Sequence, residues 1–308
     1  MKLTGVHILL SYRCTFECEH CFLFCSPYAG GTFSFSSLLG LLDQAKQCGT
    51  VRTVVFEGGE PLMFYPLLLK GVETAHGMGF SVEAVTNGYW ALNEQDAELW
   101  LKPLQGAGLG CLAVSDDAYH HGDVQPSPGA VAAAAARNMG MQAYTISIDP
   151  PELVSAPAAP GEKGKPVVGG DVRFRGRAVE KLAPGLPGRP WEEFTECPSE
   201  DFESPSRVHI DAAGNVQLCQ GITIGNVWRA PLKEIAAKYD PVSHPVCGPL
   251  LEGGPARLGQ ELGLAGENEY VDACHLCYLA RKQARQGLPE TLVPAQAYGE
   301  VDEGPGAK

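Results

Sequence analysis

Hydrophobic and polar positions along the first half of the chain follow two periods in alternation. Residues 4–11 (TGVHILLS), 51–57 (VRTVVFE), 81–87 (SVEAVTN), 111–117 (CLAVSDD) and 142–148 (QAYTISI) are short apolar runs bounded by Gly or polar residues, and they predict strands. Between them, 33–49, 65–79, 93–105 and 127–140 carry helix-like patterns, the first closing at Gly49. Strands alternating with helices predict an α/β fold with a parallel sheet and right-handed crossovers. In such sheets the functional groups gather beyond the carboxyl ends of the strands. The first four strands end at the Cys14–Cys21 loop, at Glu57-Gly58-Gly59-Glu60-Pro61, at Thr86-Asn87-Gly88 and at Ser115-Asp116-Asp117. All four ends carry polar, metal-binding or Gly-rich residues and are expected on one rim. Packing alone would scatter them.

The second half changes character. Residues 149–190 are rich in Pro and Gly, interrupted by a short run at 171–178 (DVRFRGRA) that reads as a last barrel strand. Residues 207–221 read as a β-hairpin whose second strand delivers Cys219, and 230–239 and 273–286 as helices. The expected organisation is a core over 1–148, a linker or loop over 149–190, a second module over 191–290 and a flexible tail over 291–308.

Composition narrows the class. With 44% hydrophobic residues in 308, a substantial core is expected, and the 37 glycines and 24 prolines point to long connections around it. No run of 18 apolar residues exists and the amino-terminal apolar run is short, so neither a membrane span nor secretion is expected. A formal net charge of −13 argues against a general grip on nucleic-acid phosphates. Eleven cysteines, an odd number without an export signal, read as metal or redox chemistry in a cytoplasmic protein rather than as disulfides. They cluster as Cys14, Cys18, Cys21 and Cys25, then Cys197, Cys219, Cys247, Cys274 and Cys277; Cys48 and Cys111 stand alone and are expected to be small core residues.

The first cluster contains CxxxCxxC. Three thiolates on one short loop can hold three irons of a 4Fe–4S cube and leave the fourth open, whereas Cys25 as a fourth ligand would close a zinc loop. CxxxCxxC after the first strand, with Gly58-Gly59-Glu60-Pro61 after the second, resembles the radical S-adenosylmethionine (radical SAM) superfamily. The resemblance implies a partial (β/α)6 TIM-like barrel. It also implies that the open iron chelates the methionine moiety of SAM and that reductive cleavage yields a 5′-deoxyadenosyl radical, which takes hydrogen from the substrate. Gly58 and Gly59 would let backbone approach SAM, and Glu60 would accept from its ammonium group. Thr86, Asn87, Ser115 and Asp116 occupy places where relatives touch SAM. His20 stands where an aromatic flanks adenine, and Arg175 or Arg177 offers a partner for the SAM carboxylate. Asp117, Tyr119, His120 and His121 follow the fourth strand; Asp117, Tyr119 and Cys247 are the candidates for substrate chemistry.

The second cysteine set resembles the Twitch module, the shorter form of the SPASM extension. It implies an auxiliary 4Fe–4S cluster on Cys197, Cys219, Cys274 and Cys277, with Cys247 as rival to Cys197, carried on a small hairpin-plus-helix domain. A zinc site closed by four cysteines is the structural alternative. The expected substrate is a peptide undergoing crosslinking, oxidation or epimerisation, or else a small sugar or alcohol being dehydrogenated. The first strand begins almost at Met1, leaving no leader-binding domain ahead of it, which tilts slightly against a leader-guided role. A reductant such as flavodoxin or ferredoxin is the implied partner. An iron–sulfur electron carrier would use the cysteines but has no need of Gly58, Gly59 and Glu60, and a zinc-binding module has no need of the second polar rim.

Overall fold

The computed structural model describes residues 1–156, 165–264 and 269–300. The alternation predicted for the first half is present: β1 (Gly5–Ser11), α1 (Phe35–Gln47), β2 (Thr53–Gly58), α2 (Tyr65–Gly77), β3 (Ser81–Thr86), α3 (Glu94–Ala107), β4 (Cys111–Ser115), a one-turn α4 (Ala118–His121), α5 (Pro128–Asn138) and β5 (Gln142–Ile146). Side-chain caps start the helices: Ser34, Asn93 and Ser127 accept from backbone N–H groups of α1, α3 and α5. After β5 come a hairpin of β6 (Glu152–Ser155) and β7 (Pro166–Gly169), α6 (Arg177–Lys181), and the two-residue β8 (Arg189–Pro190). Then follow β9 (Arg207–Asp211), β10 (Asn215–Cys219), β11 (Ile222–Asn226), α7 (Leu232–Lys238), α8 (Cys247–Glu261, kinked at Gly253 and Gly254), β12 (Glu269–Tyr270, paired with β8) and α9 (Ala273–Ala284).

One sheet holds eight strands in the order β11-β10-β9-β1-β2-β3-β4-β5. From β9 to β5 all neighbours are parallel, giving six parallel strands, while β10 and β11 continue antiparallel. The pleat sorts the side chains of β1. Val6, Ile8 and Leu10 join the main core with Leu38, Leu41 and Leu42 of α1, whereas Leu9 belongs to a separate cluster with Tyr12, Cys14 and Cys25. One face of the sheet is thus a helix-covered core, and the other leads to the cysteine loop.

The expected strand at 171–178 is absent. Gly176 adopts φ +62°, where an added Cβ would meet the Phe22 backbone at 2.5 Å, and the segment wraps under the cysteine loop before entering α6. The alternating Val/Phe and Arg residues of this segment mimic a half-buried strand, but Arg175 and Arg177 are themselves buried with polar partners. The sixth parallel strand is β9 instead, added to the open side of β1. The hairpin over 207–219 forms as expected, turning at Gly214 with φ +86°, and it extends the main sheet.

The chain is not loose from residue 291: Leu292, Ala295, Ala297 and Tyr298 are all buried. The last residues of the expected tail, 301–308, and the middle of the Pro/Gly stretch, 157–164, lie outside the described residues. Cys48 and Cys111 are partly rather than fully buried. Among the described residues no helix is long and apolar enough to cross a membrane.

Candidate functional site

The carboxyl ends of the parallel strands close around a cavity of about 330 Å³ lined by Cys14, Cys18, Cys21 and Cys25, by Gly58 and Gly59, and by Thr86, Asn87, Ser115, Asp117, His20 and Arg175. The rim expected from the strand ends is therefore real. The loop bearing the cysteines is held from both sides. Cys14 N–H donates to Ser26 O (3.0 Å), and Cys21 N–H to Cys18 O (3.1 Å). From below, the Arg177 guanidinium donates to Cys18 O (2.9 Å) and Cys25 O (2.8 Å), while its backbone N–H donates to Cys21 O (2.9 Å).

Gly58 and Gly59 are dictated by the same loop. An added Cβ on Gly58 would lie 2.4 Å from Ser11 O, and one on Gly59 would lie 2.1 Å from Arg13 O. Their closeness lets Gly59 N–H donate to Ser11 O (2.7 Å) and Glu60 N–H to Arg13 O (2.9 Å). The glycines thus dock the β2 turn onto the start of the cysteine loop, besides exposing backbone to the cavity.

Glu60 does not line the cavity. Its carboxylate turns inward, fully buried, and accepts from Leu62 N–H, Thr86 Oγ1–H and Asn87 N–H at 2.8–3.0 Å. Burial pushes its pKa up to about 7 against those three donors. Both Glu60 oxygens are thus engaged by donors of the chain itself. Pro61 is likewise buried at the start of a short 3-10 turn, away from the cavity lining.

The third and fourth rims divide in the same way. Asn87 stays at the site, its Nδ2 3.5 Å from Cys14 Sγ and 3.0 Å from Thr15 Oγ1. Asp116 points away and accepts from Ser127 Oγ, the cap of α5. Asp117 faces the cavity and accepts from His120 Nδ1 (2.8 Å) and the Tyr119 and His120 backbone. His20 packs on Tyr119 with ring centroids 4.6 Å apart; burial and the neighbouring His120 hold it neutral, its pKa pulled down to about 4. Tyr119 and His121 do not line the cavity, and the Arg177 guanidinium is occupied by the loop carbonyls. Asp171 and Arg173, not anticipated as site residues, line it beside Arg175; their one sequence signal was adjacency to Arg175.

A second, much smaller cavity of about 20 Å³ is lined by Cys197, Cys219, Cys274 and Cys277 together with Arg175 and Arg281. Cys219 ends β10, and Cys274 and Cys277 lie three apart in α9, whose start is capped by Asp272. Arg175 donates to Cys219 Sγ at 2.9 Å and also borders the first cavity, so one buried cation joins both cysteine sets. Cys247 is not in this lining. It opens α8, fully buried, with its thiol on Tyr239, and burial pushes it up to about 12. Burial likewise raises Cys14 to about 11, and Cys18 and Cys274 to about 12. Cys21 is the exception, lowered by a hydrogen bond from the Cys25 thiol.

Tetrahedral zinc with Zn–S of about 2.3 Å needs sulfurs roughly 3.8 Å apart. Among the described residues, the triads of Cys, His, Asp or Glu whose ligand atoms all lie within 4.8 Å of one another contain no cysteine. Each cysteine set therefore borders one cavity without bringing three of its sulfurs within 4.8 Å of one another.

No known protein family's profile matches the chain. YydG of Bacillus subtilis (strain 168), a protein named for peptide biosynthesis, is 25% identical over 115 residues, which is 37% of this chain and 36% of YydG; the match therefore spans about a third of that relative. Among solved structures, BtrN in complex with AdoMet and 2-DOIA aligns over 76% of this chain and 81% of its own at 15% identity, with a TM-score of 0.49. SuiB of Streptococcus suis bound to S-adenosylmethionine aligns over 89% and 77% at 12% identity, TM-score 0.42. The anSMEcpe structure with AdoMet and Cp18Cys peptide aligns over 97% and 99% at 12% identity, TM-score 0.43.

Proposed function

We propose that the protein is a radical SAM enzyme that modifies a peptide. The observation that carries the enzyme class is the convergence of the CxxxCxxC thiols, the Gly58-Gly59 backbone and Asn87 on one cavity at the carboxyl ends of parallel strands. Three cysteines of one loop, with Cys25 tied to Cys21, suit a 4Fe–4S cluster with one iron left for a ligand. Held there by Cys14, Cys18 and Cys21, a cluster with SAM would supply radical hydrogen-abstraction chemistry toward the substrate. The chain's own residues do the positioning. Arg177 and the glycines fix the cysteine loop, and Asn87 orients Cys14. Asp117 holds His120 beside His20, making an aromatic wall. Phe16, Phe22, Ile146 and Ile148 exclude water from the cavity.

The four cysteines at the second cavity are read as ligands of an auxiliary 4Fe–4S cluster, with Arg175 and Arg281 offsetting its negative charge. Cys197 is preferred to Cys247 because it shares the cavity. The peptide substrate is supported by the likeness to YydG, and a flavodoxin or ferredoxin is the proposed reductant.

The test is anaerobic reconstitution and reduction with SAM, followed by assay of 5′-deoxyadenosine. We expect about eight irons per chain, falling to about four in the Cys14→Ala, Cys18→Ala, Cys21→Ala variant, which makes no 5′-deoxyadenosine. Short peptides encoded beside the gene are then incubated with the enzyme and analysed by mass and residue chirality. Zinc in place of iron would overturn the class; turnover of amino sugars but of no peptide would overturn the substrate.

A further inference from the structure

Three adjacent strands each place one chemically active side chain on the same face of the sheet. His7 of β1 lies opposite His209 of β9 in the parallel register, and Glu57 of β2 lies opposite Leu9, one pleat further along. Their neighbours Val6, Ile8, Phe56, Val208 and Ile210 all face the helix-covered core, so the three polar side chains share the other face. His209 Nδ1 is 2.6 Å from one Glu57 oxygen and His7 Nδ1 is 3.2 Å from the other, with the imidazole centroids 4.9 Å apart. The three ligand atoms lie within 4.8 Å of one another.

We propose that His7, Glu57 and His209 form a binding site for a divalent transition-metal ion at the floor of the cavity, separate from both cysteine sets. Two imidazoles and a carboxylate are a common donor set for zinc or iron(II), and three protein ligands leave a coordination position for water or an oxygen donor of the substrate. Two features of the site leave room for an ion. The buried Nδ1 of His7 has no hydrogen-bond partner although it lies beside the carboxylate, and His209, 6% exposed, has a buried Nε2 that is also unpartnered. Glu57 also lines the main cavity, which gives the ion access to whatever occupies it.

This proposal rests on the sheet geometry and not on the radical SAM reading, so the two fail separately. The test uses the reconstituted full-length protein with both cysteine sets loaded. It is equilibrated with zinc chloride under anaerobic conditions, gel-filtered, and analysed for zinc and iron and by zinc K-edge absorption. We expect about one retained zinc per chain, with a nitrogen and oxygen shell at about 2.0–2.1 Å. The zinc should be lost in Glu57→Gln and in His7→Gln, His209→Gln, with iron content unchanged, and kept in the Cys14→Ala, Cys18→Ala, Cys21→Ala variant. Failure of the wild type to retain zinc, or a sulfur shell at about 2.3 Å that survives the Gln variants, would overturn the site. If the Gln variants lose iron through misfolding, an Asp117→Asn variant decides, because His20, Asp117 and His120 are the other histidine–carboxylate triad among the described residues: zinc retained there with imidazole scattering supports the site, and zinc lost with Asp117 or a sulfur shell overturns it.

Discussion

Single side chains at this site have roles that their residue types conceal. Glu60 belongs to a motif read as ligand-binding, yet its carboxylate clamps the backbone after β3 to the turn after β2 through three donors. Gln at this position would set an N–H group against one of those donors. We expect Glu60→Gln to cost about 1–3 kcal/mol in urea unfolding while the Cys14, Cys18 and Cys21 thiols remain in place. The effect should depend on pH with a defined sign. The folded-state pKa of about 7 lies above the ordinary 4.5, so the stability linked to protonated Glu60 is complete below about pH 4.5 and lost as pH rises through 7. The advantage of wild type over Glu60→Gln should therefore shrink between about pH 5 and pH 8; an advantage that grows would contradict the burial argument. Arg177 shows a similar displacement of role, from a presumed ligand partner to a strut under Cys18 and Cys25.

At the scale of elements, the decisive contact is between two turns. The β2 turn can sit against the start of the cysteine loop only because residue 59 has no side chain. A Cβ 2.1 Å from Arg13 O would force the turns apart, so Gly59→Ala should cost about 1–3 kcal/mol and abolish iron loading at Cys14, Cys18 and Cys21, with loading at the second set retained. Iron analysis of the purified variant checks this. The strands and helices of the first half were legible because their burial follows one period per element, and β1, β2, β3, β4 and β5 fall where that period changes. Residues 171–178 were misread because alternation also arises when arginines are buried against distant partners, Arg175 on the Cys219 sulfur and Arg177 on carbonyl groups of the cysteine loop. Asp116 and Pro61 were expected at the site from their strand-end positions and the resemblance, yet cap and turn formation direct both away from the cavity lining.

Across the whole molecule, the carboxy-terminal segment locks the second cysteine set. Tyr298 donates to Gly221 O (2.7 Å), accepts from Arg281 (3.0 Å) and stacks on Tyr278 at 5.7 Å. Arg281 in turn reaches Gln220 O and borders the cavity of Cys219 and Cys277. Removing the ring leaves a cavity and a buried cation short of a partner. We expect Tyr298→Ala to destabilise the protein by at least about 3 kcal/mol and to impair iron loading at the second set first, measured by thermal unfolding and iron content. Intact loading would show that Arg281 is held without Tyr298.

The sequence by itself determined the alternation of strands and helices, the parallel sheet, and the appearance of cysteines, glycines and polar residues at successive strand ends, because local period and turn chemistry are written in neighbouring residues. Tertiary structure alone decided that β9 joins β1 as the sixth parallel strand, that Arg175 touches both cysteine sets, that Glu60 faces inward, and that His7, Glu57 and His209 meet. Each of these joins residues far apart in the chain or depends on which donors compete for a carboxylate. Such outcomes are set by register and by the satisfaction of buried polar groups, and neither is visible in any local window of residues.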